Sequence, residues 1–201
     1  MIKYPLHFSN GNIDLCTMSG HKCHAPKGTG LLYVRNNLRL TPQLHGGEQE
    51  SRLRAGTENV AGAVALAKAL RLESEKAEGG MQKLRTMNDM LRAGLLNIPG
   101  ISINSPADHS AVHIINFSIP KLKPEVLIQA LAEYDIYVST KSACSSKLSE
   151  PSRVLLAMGL AEELAGSAIR VSLSFQNTED EVATLLKQLS HMLPELMKVM
   201  K

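Results

Sequence analysis

The sequence contains no tryptophan, and aromatic residues make up only 3% of its 201 positions. Proteins that bind single-stranded nucleic acid stack the bases on aromatic side chains inside a positively charged groove. The net charge here is +3, and lysine and arginine are scattered among acidic residues rather than gathered into a stripe. Composition and charge pattern therefore argue against a nucleic-acid partner.

Cysteine is scarce and apolar runs are short. The three cysteines, Cys16, Cys23 and Cys144, form an odd set without the spacing of a disulfide-rich secreted domain. No basic patch followed by an apolar stretch marks a leader peptide, so we expect a protein of the reducing cytoplasm. No apolar run approaches the roughly 20 residues that a membrane-spanning helix needs, so we expect no contact with a membrane.

A metal site is not expected either. Cys16, His21, Cys23 and His24 lie close together in the sequence. The two cysteines are spaced more widely than a usual zinc-binding pair, and no Cys-x-x-Cys pair elsewhere completes a set of four ligands. We therefore predict that these four residues do not hold a metal ion.

The composition that is present suits a globular α/β protein. With 44% hydrophobic and 20% charged residues, the chain can bury a core. Residues 12–18 predict a strand that places residues 19–22 at its carboxyl end, and residues 30–34 predict a second strand. Residues 56–98 show helical periodicity, in which Gly79-Gly80 predicts a break or bend.

The rest of the chain predicts a smaller α/β unit. Strands are expected at residues 112–118, 136–139 and 168–175, and helices at residues 124–134 and 152–158. A last helix follows Asn177, where Thr178-x-x-Glu181 has the form of a capping box. We predict one domain over residues 1–98 and a second domain over residues 99–201.

The stretch from Ser19 to Gly30 is the most informative part of the chain. It reads Ser-Gly-His-Lys-Cys-His-Ala-Pro-Lys-Gly-Thr-Gly. A lysine that holds an aldehyde cofactor as a Schiff base must lose its proton readily and lie beside groups that anchor the cofactor's phosphate. Ser19 and His21 can supply that anchor for Lys22. Taken alone, adjacent lysine and histidine residues are also typical of a solvated strand end.

A second reactive candidate, Cys144, lies far downstream. It stands in Ser-Ala-Cys-Ser-Ser, and the loop-like sequence Lys-Leu-Ser-Glu-Pro follows it. Small polar neighbours favour an accessible segment on which a thiolate can act as a nucleophile. Taken alone, a buried and unreactive cysteine is the other interpretation.

Five blocks together resemble the cysteine desulfurases, which are class V aminotransferase-like enzymes that use pyridoxal 5′-phosphate (PLP). The blocks are Ser-Gly-His-Lys, Pro-Lys-Gly-x-Gly, Arg54-Ala55-Gly56-Thr57, Ser-Ala-Cys-Ser-Ser and Ala-Ile-Arg-Val-Ser around Arg170. Their order and relative spacing fit the family from about Ile13 to about Glu181. The loop around the cysteine resembles the longer loop of the nitrogen-fixation and housekeeping type. The resemblance implies part of a large PLP-transferase domain of fold type I, with few strands, and a complete smaller α/β domain.

The resemblance also implies roles for individual residues. Lys22 would form the Schiff base with PLP, and Ser19 and His21 would bind its phosphate. Thr57 would reach the phosphate from the neighbouring subunit, which implies a homodimer. Arg170 would hold the α-carboxylate of the substrate, because its planar fork suits a carboxylate.

The implied reaction converts L-cysteine to L-alanine. Cys144 would take the substrate sulfur as a persulfide and pass it to an acceptor protein, such as an iron–sulfur scaffold or a tRNA-thiolation protein. Selenocysteine lyase shares the lysine and the cysteine, so it remains an alternative. A non-catalytic module that dimerises or binds a sulfur acceptor is another.

The chain departs from this family in one respect. A complete enzyme is about twice as long, and the residues that stack on the pyridine ring and pair with its nitrogen lie in the N-terminal half of the family. Asp14 does not replace the missing carboxylate, because it lies too near Lys22. We expect the isolated chain to be inactive. It would be a truncated product, a trimmed fragment, or half of an enzyme whose N-terminal half is a separate polypeptide.

Overall fold

The structure is a computed structural model that describes residue 8, residues 12–140 and residues 151–199. The chain forms two compact units, Met1–Glu78 and Gly79–Lys201. The predicted division of this chain into domains over residues 1–98 and 99–201 stays a prediction. No helix in the described ranges has the length and apolar character that crossing a membrane requires.

The first unit contains an antiparallel pair of strands, β1 (Leu15–Ser19) and β2 (Gly30–Val34). Leu15 lies opposite Val34, and Ser19 lies opposite Gly30. Both predicted strands are confirmed, with β1 beginning a few residues later than expected. A short 3-10 helix, Gly20–Cys23, follows β1 directly.

Helix α1 (Val60–Leu96) is continuous over 37 residues. The Asn59 side chain caps it by accepting a hydrogen bond from the Gly62 N–H at 2.9 Å. The predicted break or bend at Gly79-Gly80 is not a break, because α1 is continuous through both glycines. In the second unit, a Cβ atom on Gly80 would lie 2.5 Å from Phe175 Cδ1, so the missing side chain makes room for this ring. This packing contact accounts for glycine at position 80.

The second unit is built on a three-stranded antiparallel sheet in the order β3 (Ser102–Ile103), β4 (Ile114–Ser118), β5 (Ala168–Ser172). Alternation places Ile115, Phe117, Ile169 and Val171 on one face, where all four are buried. This face packs in one core with α1 and the last helix. Strands β4 and β5 are confirmed predictions, whereas the short β3 was not expected.

Among the described residues of the second unit there are four further helices: α2 (Pro124–Ala132), α3 (Arg153–Ala157), α4 (Glu162–Gly166) and α5 (Glu179–Val199). Proline stands at the start of α2, where its missing N–H costs nothing. Helices α2, α3 and α5 match the prediction, and α4 was not expected. The capping box of α5 is confirmed: the Thr178 N–H donates to Glu181 Oε2 at 3.1 Å, and the Glu181 N–H donates to Thr178 Oγ1 at 3.3 Å.

The strand predicted at residues 136–139 is wrong. Of residues 136–139, only Ser139 pairs with β5, through a single bridge to Arg170. Asp135 has a left-handed conformation with φ of 57°, and the Ile136 N–H donates back to the Leu131 carbonyl at 3.1 Å. The segment therefore leaves the end of α2 in a tight turn and meets β5 only at Ser139.

Candidate active site

Lys22 lies on the 3-10 helix that follows β1, with exposed Ser19 and His21 beside it in sequence. The Gly20 N–H donates to the Thr29 carbonyl at 2.8 Å, which ties this helix to the start of β2. Gly20 is buried, and a Cβ atom there would collide with Thr29 Oγ1. The backbone beneath Lys22 is therefore fixed by a contact that only glycine permits.

The other end of the Lys22 turn is also held. His24 takes a left-handed conformation with φ of 61° and donates its N–H to the Gly20 carbonyl, which also accepts from the Ala25 N–H at 3.1 Å. Downstream, Thr29 Oγ1 donates to the Pro26 carbonyl at 2.6 Å. The glycine-rich sequence thus closes a compact loop that presents Lys22 to solvent.

Glu73 is a residue that sequence reasoning missed. Its side chain is only 7% exposed, and its Oε1 lies 3.9 Å from His24 Nε2 and 3.6 Å from Lys76 Nζ. It lies seven positions after the buried Leu66, on the same face of α1. The seven-residue spacing from Leu66 is the sequence signal from which the burial of Glu73 could have been predicted. The carboxylate sits beside the residue that ends the Lys22 turn.

Thr57 lies on the loop before α1 and is exposed. Gly56 has φ of 112°, which favours glycine, and its N–H donates to Gln49 Oε1 at 3.3 Å. No hydrogen bond joins Thr57 to Ser19, His21 or Lys22 within the described ranges. Ser19, His21 and Lys22 are therefore neighbours on one turn, whereas Thr57 lies on a separate loop and makes no hydrogen bond to them among the described residues.

Arg170 occupies the middle of β5 in the second unit. It lies directly opposite Asn116 of β4 and exchanges two backbone hydrogen bonds with Ser139, at 3.1 and 2.6 Å. Its Nε is buried and has no hydrogen-bond partner in the part of the chain that the structure describes. Nε of the Arg170 guanidinium is therefore not held in a structural ion pair within the described residues.

The predicted nucleophile, Cys144, lies outside the described residues. The two described cysteines, Cys16 and Cys23, are free and partly exposed. Within the described ranges, no three histidine, cysteine, aspartate or glutamate residues are grouped to hold a metal ion.

The side chains near Lys22 fit one end of PLP. A hydroxyl on Ser19 and an imidazole on His21 are suitable donors to a phosphate, and the exposed Lys22 amine can meet an aldehyde. Asp14 does not serve the ring nitrogen, because its Oδ1 pairs with Arg35 Nη1 at 2.9 Å. Ser19, His21 and Lys22 therefore fit the phosphate and the aldehyde of PLP. Asp14 does not provide the carboxylate that would pair with the pyridine nitrogen.

A family comparison decides the classification. The model of the aminotransferase class V family matches residues 1–185. The chain belongs to this family. Proteins similar to this chain include cysteine desulfurase IscS of Methanosarcina thermophila, which is 38% identical over 96% of this chain and 48% of that protein. IscS of Clostridium botulinum strain Hall is 40% identical over 93% of this chain and 47% of its own length. The chain spans about half the length of these curated relatives.

Solved structures agree with this class V assignment. A NifS-like protein matches with a TM-score of 0.86 at 34% identity, over 96% of this chain and 50% of that one. The NifS-like protein of Rickettsia africae matches with a TM-score of 0.84 at 26% identity, over 98% and 51%. A C-DES mutant solved with glycine covalently linked to PLP shares the fold, with a TM-score of 0.68 at 21% identity over 94% and 49%. The fold is thus part of PLP fold type I, as expected.

Proposed function

We propose that this chain is the C-terminal portion of a PLP-dependent cysteine desulfurase. The observation that carries the proposal is the exposed Lys22 on a turn fixed by Gly20, with Ser19 and His21 beside it. Relatives named cysteine desulfurase support the reaction class. Neither the composition nor the fold alone would select this chemistry, because one fold hosts many reactions.

The residues of this chain divide the proposed work. Ser19 and His21 bind the cofactor phosphate, Thr57 of a neighbouring subunit completes that site, and Arg170 binds the substrate carboxylate. PLP, when bound, supplies an electron sink for the α-carbon of the substrate. The Lys22 amine then accepts and returns the proton at that carbon.

Sulfur transfer is assigned to Cys144. Its thiolate attacks the sulfur of L-cysteine, so that a sulfur–sulfur bond forms as the carbon–sulfur bond breaks. The electron pair of the broken bond remains with the carbon skeleton, which gains a proton and leaves as L-alanine. The outer sulfur of the Cys144 persulfide is then transferred to an acceptor protein in the cytoplasm, for iron–sulfur cluster assembly or tRNA thiolation, and Cys144 leaves this step as a thiolate.

We further propose that the isolated chain is inactive until an N-terminal half completes the cofactor unit. Leu15 and Leu32 lie on one face of the β1–β2 pair and are 49% and 48% exposed. Strands of such α/β sheets are normally covered on both faces. An exposed apolar face in the first unit supports docking of a further segment that covers it. A non-catalytic binding module is the second candidate, and the same exposed face is compatible with it.

Reconstitution tests this function. We would mix the chain with the N-terminal half of the Methanosarcina IscS relative, PLP and L-cysteine. We expect PLP absorbance in the visible range, alanine release and one added sulfur on Cys144 by mass spectrometry. A complex that forms without absorbance or persulfide would favour the non-catalytic module. Full activity of the isolated chain would contradict the proposed dependence on a second half.

A further inference from the structure

A cavity of about 430 Å³ opens in the second unit between residues 134–138, the end of β5 and the first turns of α5. Its volume is within the range of sites that bind a small ligand or a few residues of a peptide. Arg170 does not line it. We call this cavity the β5-edge groove, and it is separate from the substrate site proposed at Arg170.

One wall of the groove is an open strand edge. Arg170 directs its backbone N–H and carbonyl to Ser139. Because alternate residues of a strand direct these groups to the same side, Ser172 presents its own N–H and carbonyl at the same edge. No hydrogen bond joins Ser172 to residues 136–138 in the described part of the chain. An open edge of this kind can pair with another extended chain.

The groove combines an apolar floor with an acidic rim. Val171, Val182 and Leu185 contribute buried apolar surface. Every charged residue that lines the groove is acidic, although the chain as a whole carries a net charge of +3. Asp135 and Asp180 are the exposed acids of this rim whose carboxylates are not part of the capping box. The local charge is therefore complementary to a basic partner and opposite to the charge of the whole protein.

Two tyrosines lie at the same rim. Tyr134 is 50% exposed and Tyr137 is 78% exposed, and the whole sequence has only four tyrosines. Tyr137 donates its hydroxyl to Asp135 Oδ1 at 3.3 Å, which holds an aromatic ring beside a carboxylate. Lysine and arginine side chains bind both groups, the carboxylate by charge and the ring by cation–π attraction.

We propose that the β5-edge groove binds an extended, lysine- or arginine-containing segment of a partner protein. The segment pairs with β5 at Ser172 and directs basic side chains to Asp135 and Asp180. Its apolar side chains cover the floor of the groove. This proposal uses residues of the second unit alone, so it does not depend on the proposed desulfurase reaction.

A peptide-binding measurement on the full chain tests the proposal. The probe is a fluorescein-labelled peptide in which valine and lysine alternate. It has about six residues, which is a typical strand length. A second peptide replaces lysine with glutamate, and a third carries N-methyl groups on alternate backbone nitrogens, which block pairing along one edge. Fluorescence anisotropy measures the Kd of each peptide at two salt concentrations.

The variant Asp135→Asn/Asp180→Asn removes the two rim charges. Glu179→Gln is the matched control, because Glu179 is in the same first helical turn as Asp180 but does not line the groove. We expect the double variant to weaken lysine-peptide binding about tenfold and the control to change it less than about twofold. We expect the N-methylated peptide to bind at least about tenfold more weakly. Thermal unfolding of each variant checks that the fold is retained.

Four results of the peptide-binding measurement would overturn the proposal: no saturable binding of the lysine peptide, equal binding of the glutamate peptide, equal binding of the N-methylated peptide, or loss of binding when the N-terminal half is added. The last result would assign the groove to a contact within the enzyme. Self-association of the chain that Asp135→Asn abolishes would assign it to a second copy and would equally overturn the proposal.

Discussion

The Gly20 N–H lies 2.8 Å from the Thr29 carbonyl, and this bond joins the two ends of the loop that carries Lys22. A glycine is required because the space where a Cβ atom would stand is filled by Thr29 Oγ1. The backbone position of Lys22 therefore depends on a close approach between two backbone segments.

Substituting Gly20 tests this dependence. Gly20→Ala should lower the free energy of unfolding by about 1–3 kcal/mol, because an added methyl group overpacks the contact with Thr29. It should also weaken PLP binding to the reconstituted enzyme. The control is Gly79→Ala, where no atom lies within 4 Å of the added Cβ. That variant should be more stable by about 0.5–1 kcal/mol, since alanine favours a helix interior. Urea titrations measure both, and equal stabilities would contradict the close-contact argument.

Lys22 should be the lysine that PLP modifies. Lys22→Ala should abolish borohydride-trapped PLP on the reconstituted enzyme, because no other amine occupies the fixed turn. Lys27→Ala is the matched control, since Lys27 is an exposed lysine of the same loop. It should retain labelling within about twofold of the parent. Peptide mapping by mass spectrometry identifies the labelled residue. Labelling that survives in Lys22→Ala would place the Schiff base elsewhere.

Arg170 should discriminate substrates by their carboxylate. In the reconstituted enzyme, Arg170→Ala should lower kcat/KM for L-cysteine by about tenfold to a hundredfold, because a charge-assisted bidentate contact is lost. Cysteamine, which has no carboxylate, provides the control, and its slower reaction should change little. Steady-state sulfide release measures both substrates. An equal loss for both would show that Arg170 acts on structure rather than on the carboxylate.

The capping box predicts a pH effect on stability. Two hydrogen bonds hold the pKa of Glu181 below its usual value of 4.5. The larger effect comes from the Asn177 side chain and the smaller from the Thr178 N–H. A carboxylate with a lowered folded-state pKa stabilises the protein above its unfolded-state pKa, and this contribution is lost as pH falls through the folded-state value. Glu181→Gln should therefore destabilise the protein near neutral pH and have a smaller effect at strongly acidic pH.

Urea unfolding at the two pH values measures the Glu181 effect, with Glu179→Gln as the control. Glu179 is in the same helical turn, and no hydrogen bond to its side chain is present among the described residues. A difference between Glu181→Gln and the parent that stays constant over this pH range would rule out the linkage. The expected effect is small, because the carboxylate is exposed to solvent.

The sequence by itself determined the local elements and the candidate chemistry. Strands β1 and β2, the proline at the start of α2 and the Thr178–Glu181 cap depend on residues close together in the chain, so periodicity and capping rules predicted them. The same local order placed Ser19 and His21 beside Lys22. Their roles stay predictions, because they concern a cofactor and a substrate.

Only the tertiary structure decided the remaining features. A side chain at position 80 would collide with Phe175, which is distant in sequence, so a long-range contact accounts for this glycine within a continuous helix. Glu73 is buried beside His24 for the same kind of reason, since its environment comes from a segment about fifty residues away. Residues 136–138 had a strand-like sequence but remain unpaired with β5, because the turn at Asp135 sets their path. Long-range packing selects among conformations that local propensity leaves nearly equal in free energy.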